Sequence, residues 1–169
     1  EMCIRDRYKV GYEFLESIGL EADSMTLASA EEQAPIIKKL IDMGSESVSD
    51  CGGSATNSLI AASNYGSKCH HVCRVSDDAD GKKYLESLRS AGVDHIGVSS
   101  KESDMPTGKC LILVTPDAKR TMSSMLGVSA FLAKSDIKFD VIGDSKIFYI
   151  EGYMVTSEEN FGAVISVLD

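Results

Sequence analysis

Gly52-Gly53 followed by Ser54-Ala55-Thr56-Asn57 puts two bare peptide units, two hydroxyls and a carboxamide within six residues. Adjacent glycines free the backbone to take positive φ and let a ligand come within van der Waals distance of the main chain. Beyond them an apolar run of helical period stops at Gly66, a residue type suited to the left-handed position that ends a helix. A strand end, a glycine turn and a helix start form a place where free N–H groups meet polar ligands. The chemistry on offer is hydrogen bonding to a polyhydroxylated molecule, because one amide matches both donors and acceptors. The same residues also suit a tight strand-to-helix turn with nothing bound.

Other reactive residues are scattered. Cys69-His70-His71-Val72-Cys73 would bring its thiols together on a helix, where they could share a metal, but on a strand it spreads them about 13 Å apart. The valines favour the strand, so no metal site is predicted. His70, His71 and His95 have no evident nucleophile beside them and read as structural. Asp77-Asp78-Ala79-Asp80-Gly81 fails as a calcium loop, with Ser76 in the first place and Ser87 in the last, and reads instead as a helix cap. Neither Gly81-Lys82 nor Gly108-Lys109 has the earlier glycine or the following hydroxyl of a phosphate-binding loop. For a small anion, Lys119-Arg120 is the best basic pair.

Gly52, Gly53, Ala55, Asn57, Gly66 and the run Arg74-Val75-Ser76-Asp77-Asp78-Ala79-Asp80-Gly81 resemble the N-terminal signature of the PfkB (ribokinase-like) sugar and nucleoside kinases. Leu59 and Ser76 depart from it, standing where the family usually has a small residue and a glycine. Thr115 to Met122, Leu126-Gly127 and Glu151-Gly152-Tyr153 look most like adenosine kinase-like members. The resemblance implies a three-layer α/β/α domain with a small β lid, of which residues 1–169 would be the N-terminal part, incomplete at both ends. It implies an ATP- and magnesium-dependent phosphotransferase acting on the hydroxymethyl group of a sugar or nucleoside. Gly52, Gly53, Asn57 and Glu151 would hold the substrate and Arg120 would face its phosphate side. The catalytic base, anion hole and nucleotide pocket would lie beyond Asp169, leaving this stretch inactive by itself. The alternative is a non-catalytic sugar- or nucleoside-binding module, or one that assembles into a homodimer through its lid strands.

The composition, 43% hydrophobic and 25% charged, is that of a globular domain. A formal net charge of −9 without a Lys/Arg cluster argues against nucleic acid and anionic membranes as partners. No apolar run approaches the ~20 residues of a membrane span. An odd count of five cysteines without framework spacing fits reduced thiols and a cytoplasmic location.

The positioning elements follow from periodicity. Residues 1–7 have no pattern and read as non-native, with the family's first, aspartate-bearing strand missing. Residues 12–18 form a short amphipathic helix. Ser29 and Glu32 cap a second helix that Pro35 should break near Ala34. Lid strands are expected within 8–10, 45–51, 93–98 and 107–125, the last folded as a hairpin about Thr115-Pro116-Asp117-Ala118. Lys146 to Glu151 reads as a fully buried strand ending at the ligand side, and Thr156 with Glu159 as the cap of a final helix.

Overall fold

A computed structural model describes residues 3–96, 99–100 and 105–168. Nine strands, β1 (Cys3–Lys9), β2 (Met25–Leu27), β3 (Ser47–Gly52), β4 (Cys69–Val72), β5 (Val75–Ser76), β6 (Val93–Ile96), β7 (Ser99–Ser100), β8 (Lys109–Val114) and β9 (Arg120–Met125), are described. Six helices accompany them: α1 (Tyr12–Ser17), α2 (Ala30–Asp42), α3 (Ser54–Asn64), α4 (Ala79–Ser90), α5 (Phe139–Gly143) and α6 (Glu158–Leu168). Five strands make one mixed sheet in the order β2-β9-β8-β1-β3, while β4 pairs with β6 and β5 with β7, both parallel.

The large sheet is built on the hairpin β8–β9, which runs from the pair Lys109–Met125 to the pair Val114–Arg120. Its turn is closed by the Ala118 N–H donating to Thr115 O, and the Thr115 hydroxyl donates to Asp117. Helices α1 and α2 cover one face, where Phe14, Leu15 and Leu40 pack on Tyr8, Leu111 and Leu113. A second core gathers Cys69, Cys73, Val75, Tyr84, Leu88 and Val93 between α4 and the β4–β6 pair, with Leu59 and Ile60 of α3 against it.

Several elements differ from the periodicity. Residues expected to add no structure supply β1, whose Ile4 is fully buried and which lies between β8 and β3. Helix α2 runs unbroken through Pro35. Proline removes one hydrogen bond there, and the helix is held instead by the sheet: the Gln33 amide donates to the Lys109 and Ser123 carbonyls, and Leu40 is fully buried. Residues 93–96, expected with the lid strands, pair with β4, and residues 97–98 lie outside the described residues. Residues 146–150 form no strand, and Ile147 is 85% exposed. A strand needs a neighbour to take up its main-chain groups, and none of the described strands runs beside this segment. The last helix is capped one residue later than expected, the Asn160 N–H donating to the Ser157 hydroxyl.

Asp78 caps α4 by accepting from the Gly81 N–H, and its carboxylate also takes the Thr107 N–H and hydroxyl protons, at 2.7–2.8 Å. The Thr107 oxygen in turn accepts from the Ser76 N–H. Burial by itself would raise the Asp78 carboxyl; these hydrogen bonds and the nearby Lys109 outweigh it and hold the group below the usual carboxylate range. The approach is so close that a Cβ on Gly81 would lie 2.1 Å from Ser76 O. Gly81→Ala is therefore expected to lose about 1–3 kcal/mol in urea unfolding. Gly143→Ala, in α5 with nothing within 4 Å of its added carbon, should be neutral or gain up to about 1 kcal/mol.

Candidate functional site

The glycine pair ends β3 and starts α3. Gly53 takes φ +111° and ψ 140°, a conformation that only glycine adopts without strain, and the helix begins there without a side-chain cap. Gly52 is buried, with the Arg5 side chain over its α-carbon. The main chain then turns so that Ser54, Ala55 and Thr56 head the helix, and the Asn57 N–H is the first to close an intrahelical bond, 3.0 Å from Gly53 O.

Glu151 is the residue brought to this turn from farthest away. Its carboxylate accepts the Ser54 hydroxyl proton, and the Ala55 N–H also points to it. Only 7% of the residue is exposed. Burial works to raise the carboxyl, while hydrogen bonds including those from Ser54 and Ala55 keep it ionised at lower pH than an ordinary glutamate. Asn57 is exposed and lies three residues from Ser54, hence on the same side of α3. The structure thus brings Gly53, Ser54, Asn57 and Glu151 to one place: a helix start, an amide, a hydroxyl and a carboxylate.

Arg120 is not brought there. It is exposed at the turn end of β9, paired with Val114, whereas Gly52 pairs with Cys3 at the opposite end of the sheet. Five residues of strand separate the two ends, about 17 Å. The opposite end also holds a recess of about 560 Å³, lined by Leu27, Met105, Pro106, Met125, Leu126 and Phe131 among others.

Two partners of the site are illegible from residue type. Ser54, the partner of Glu151, reads in sequence only as a small residue after glycine. Thr56 is fully buried and meets two groups from other elements, His71 of β4 and Tyr84 of α4, which nothing in the local pattern announces. The only signal is Thr56 itself, a hydroxyl on the helix face that must turn inward.

A family model for "pfkB family carbohydrate kinase" matches residues 15–167. The chain belongs to the pfkB family. It is 29% identical over 89 residues to the ribokinase of Mus musculus, covering 52% of this chain and 27% of that protein. Among solved structures, the adenosine kinase from Sinorhizobium meliloti superposes with a TM-score of 0.81 at 25% identity, covering 98% of this chain and 49% of that one. The adenosine kinase of Anopheles gambiae, at 21% identity and a TM-score of 0.82, shows the same fold over 98% of this chain and 50% of its own. The fold is therefore ribokinase-like, and this chain spans about half the length of those solved chains. Among the described residues no helix is long and apolar enough to cross a membrane.

His71 is 6% exposed, and burial above all, with His95, lowers its pKa to about 4; Glu151 pulls the other way. The unfolded chain takes up a proton near pH 6.5 that the folded chain refuses until about 4. Stability should therefore be intact above pH 6.5 and fall by about 3 kcal/mol as the pH drops to 4. Urea unfolding at stepped pH checks this, and His71→Gln should remove that part of the slope.

Proposed function

We propose that this pfkB-family chain forms the acceptor side of an ATP-dependent phosphotransferase acting on the hydroxymethyl group of a nucleoside. One observation carries the reading: the polar turn and the apolar recess sit at the same end of the five-stranded sheet. Gly52 ends β3, Met125 ends β9, and β1 and β8 lie between them. Three inter-strand steps of ~4.8 Å put the two about 14 Å apart. That separation suits a molecule with a sugar at one end and a flat apolar ring at the other, and the recess is of ligand-pocket size.

On this reading the ribose lies over Gly53, with Asn57 exchanging hydrogen bonds with its hydroxyls. Glu151, kept ionised and fixed by Ser54, accepts from a further hydroxyl. The base enters among Leu27, Leu126 and Phe131. Mouse ribokinase and the adenosine kinases above support an acceptor containing ribose. ATP would supply the phosphoryl group with magnesium neutralising its charge. Among the described residues no group of three or more His, Cys, Asp or Glu could hold a metal ion. No phosphate-binding loop motif occurs in the sequence either, so no step is assigned to ATP or magnesium.

Calorimetric titration of this chain with adenosine and with ribose tests the reading. Asn57→Ala should weaken both by about tenfold, from the loss of one or two hydrogen bonds. Leu126→Asp should weaken adenosine alone. Unchanged adenosine affinity in Leu126→Asp overturns the nucleoside assignment. No response to either compound, with a stable dimer in solution, would favour an assembly module instead.

A further inference from the structure

The start of α3 lacks the device that fixes the two longest other helices at their N-termini. Ser29 and Glu32 form a capping box on α2, and Asp78 caps α4, but α3 begins at Gly53 with no side-chain cap. With no cap of its own, the turn depends for its orientation on other elements, and on its outer side Glu151 takes the Ser54 hydroxyl and the Ala55 N–H. This turn carries Ser54 and Asn57.

Thr56 supplies a second constraint, from the core side. Its Oγ1 lies 2.5 Å from the Tyr84 hydroxyl and 3.2 Å from His71 Nε2, and those two are 3.3 Å apart. The three groups come from α3, α4 and β4, and all are buried. With His71 neutral and accepting at Nε2, the two hydroxyl protons satisfy the triangle: one hydroxyl donates to the other, which donates to the ring. Each helical residue turns about 100° around the axis. Pinning Thr56 inward therefore sets where Ser54, two residues before it, and Asn57, one after it, point.

We infer that Thr56, Tyr84 and His71 are positioning residues for the ligand-facing turn of α3, an anchor in the core that acts beside the Glu151 contact. Removing the Thr56 hydroxyl loosens that turn ahead of the rest of the fold and lowers ligand affinity without touching a ligand. The affinity half of this inference rests on the nucleoside reading above; the rigidity half does not.

Hydrogen exchange and adenosine titration of Thr56→Val and Thr56→Ser in this chain test it. Valine keeps the shape and removes the hydroxyl, so amides 57–60 should exchange about fivefold faster while those of the capped α2 are unmoved, and adenosine should bind about fivefold more weakly. Serine should restore both, which a purely space-filling role would not. Tyr84→Phe, which keeps the ring packed, should reproduce the valine result if Thr56→Val does not fold. Exchange that is unchanged, or that rises equally in α2 and α3, overturns the inference, as does wild-type adenosine affinity in a folded Thr56→Val protein whose Asn57→Ala counterpart has lost binding. If the wild-type chain binds no adenosine, the nucleoside reading falls and the exchange pattern alone decides this one.

Discussion

No described ladder joins the five-stranded sheet to the β4–β6 pair; they meet through the core of Ile4, Cys69, Tyr84 and Leu88 and through the path of the main chain between them. Asp78 controls that passage. A single carboxylate holds the first turn of α4 and the Thr107 peptide that leads into β8, while Thr107 reaches back to Ser76. Because β8 lies beside both β1 and β9, fixing its entry fixes the register of the sheet. A second close approach, where a Cβ on Gly127 would meet Pro106 O at 2.1 Å, holds the chain leaving β9 against the same segment. Charge-assisted hydrogen bonds suit this task, being stronger and more directional than apolar contact.

The candidate site is assembled where these constraints meet. One of its walls is the start of α3 and another is Glu151, delivered by a segment with no regular structure of its own. An ionised carboxylate at low exposure is tolerable only with donors pointed at it, and the Ser54 hydroxyl and Ala55 N–H provide them. Apolar side chains before and after it are far less enclosed: Ile147, Tyr149, Val155 and Leu168 are all more than half exposed. Glu151 is thus held by polar contact as well as by its own burial.

Much of this was legible in the residues. The glycine turn, the α2 capping box, the Asp78 cap and the β8–β9 hairpin each rest on a local rule, and local rules operate wherever a short segment decides its own conformation. The family resemblance rested on the same glycine turn and on the Arg74 to Gly81 run. What escaped was decided by distant partners. Lys146 to Ile150 has the composition of a buried strand but no described neighbour to pair with. Residues 3–7 carry no strand pattern, yet β8 and β3 on either side extend the strand expected at 8–10 back through them. Pro35 argues for a break that the packing of Gln33 and Leu40 overrides. Arg120 has the type of an anion ligand, but only register shows that it stands at the end of the sheet opposite the glycine pair.

The bond from Ser54 to Glu151 spans 97 residues. Such a contact closes late, since a long loop must lose its entropy before the bond returns anything. At translation rates of about 5–20 residues per second, the start of α3 emerges roughly 5–20 s before the carboxylate that completes it. During nascent synthesis the Ser54 hydroxyl therefore stays in water, and the turn is completed only once the chain beyond residue 151 has left the ribosome.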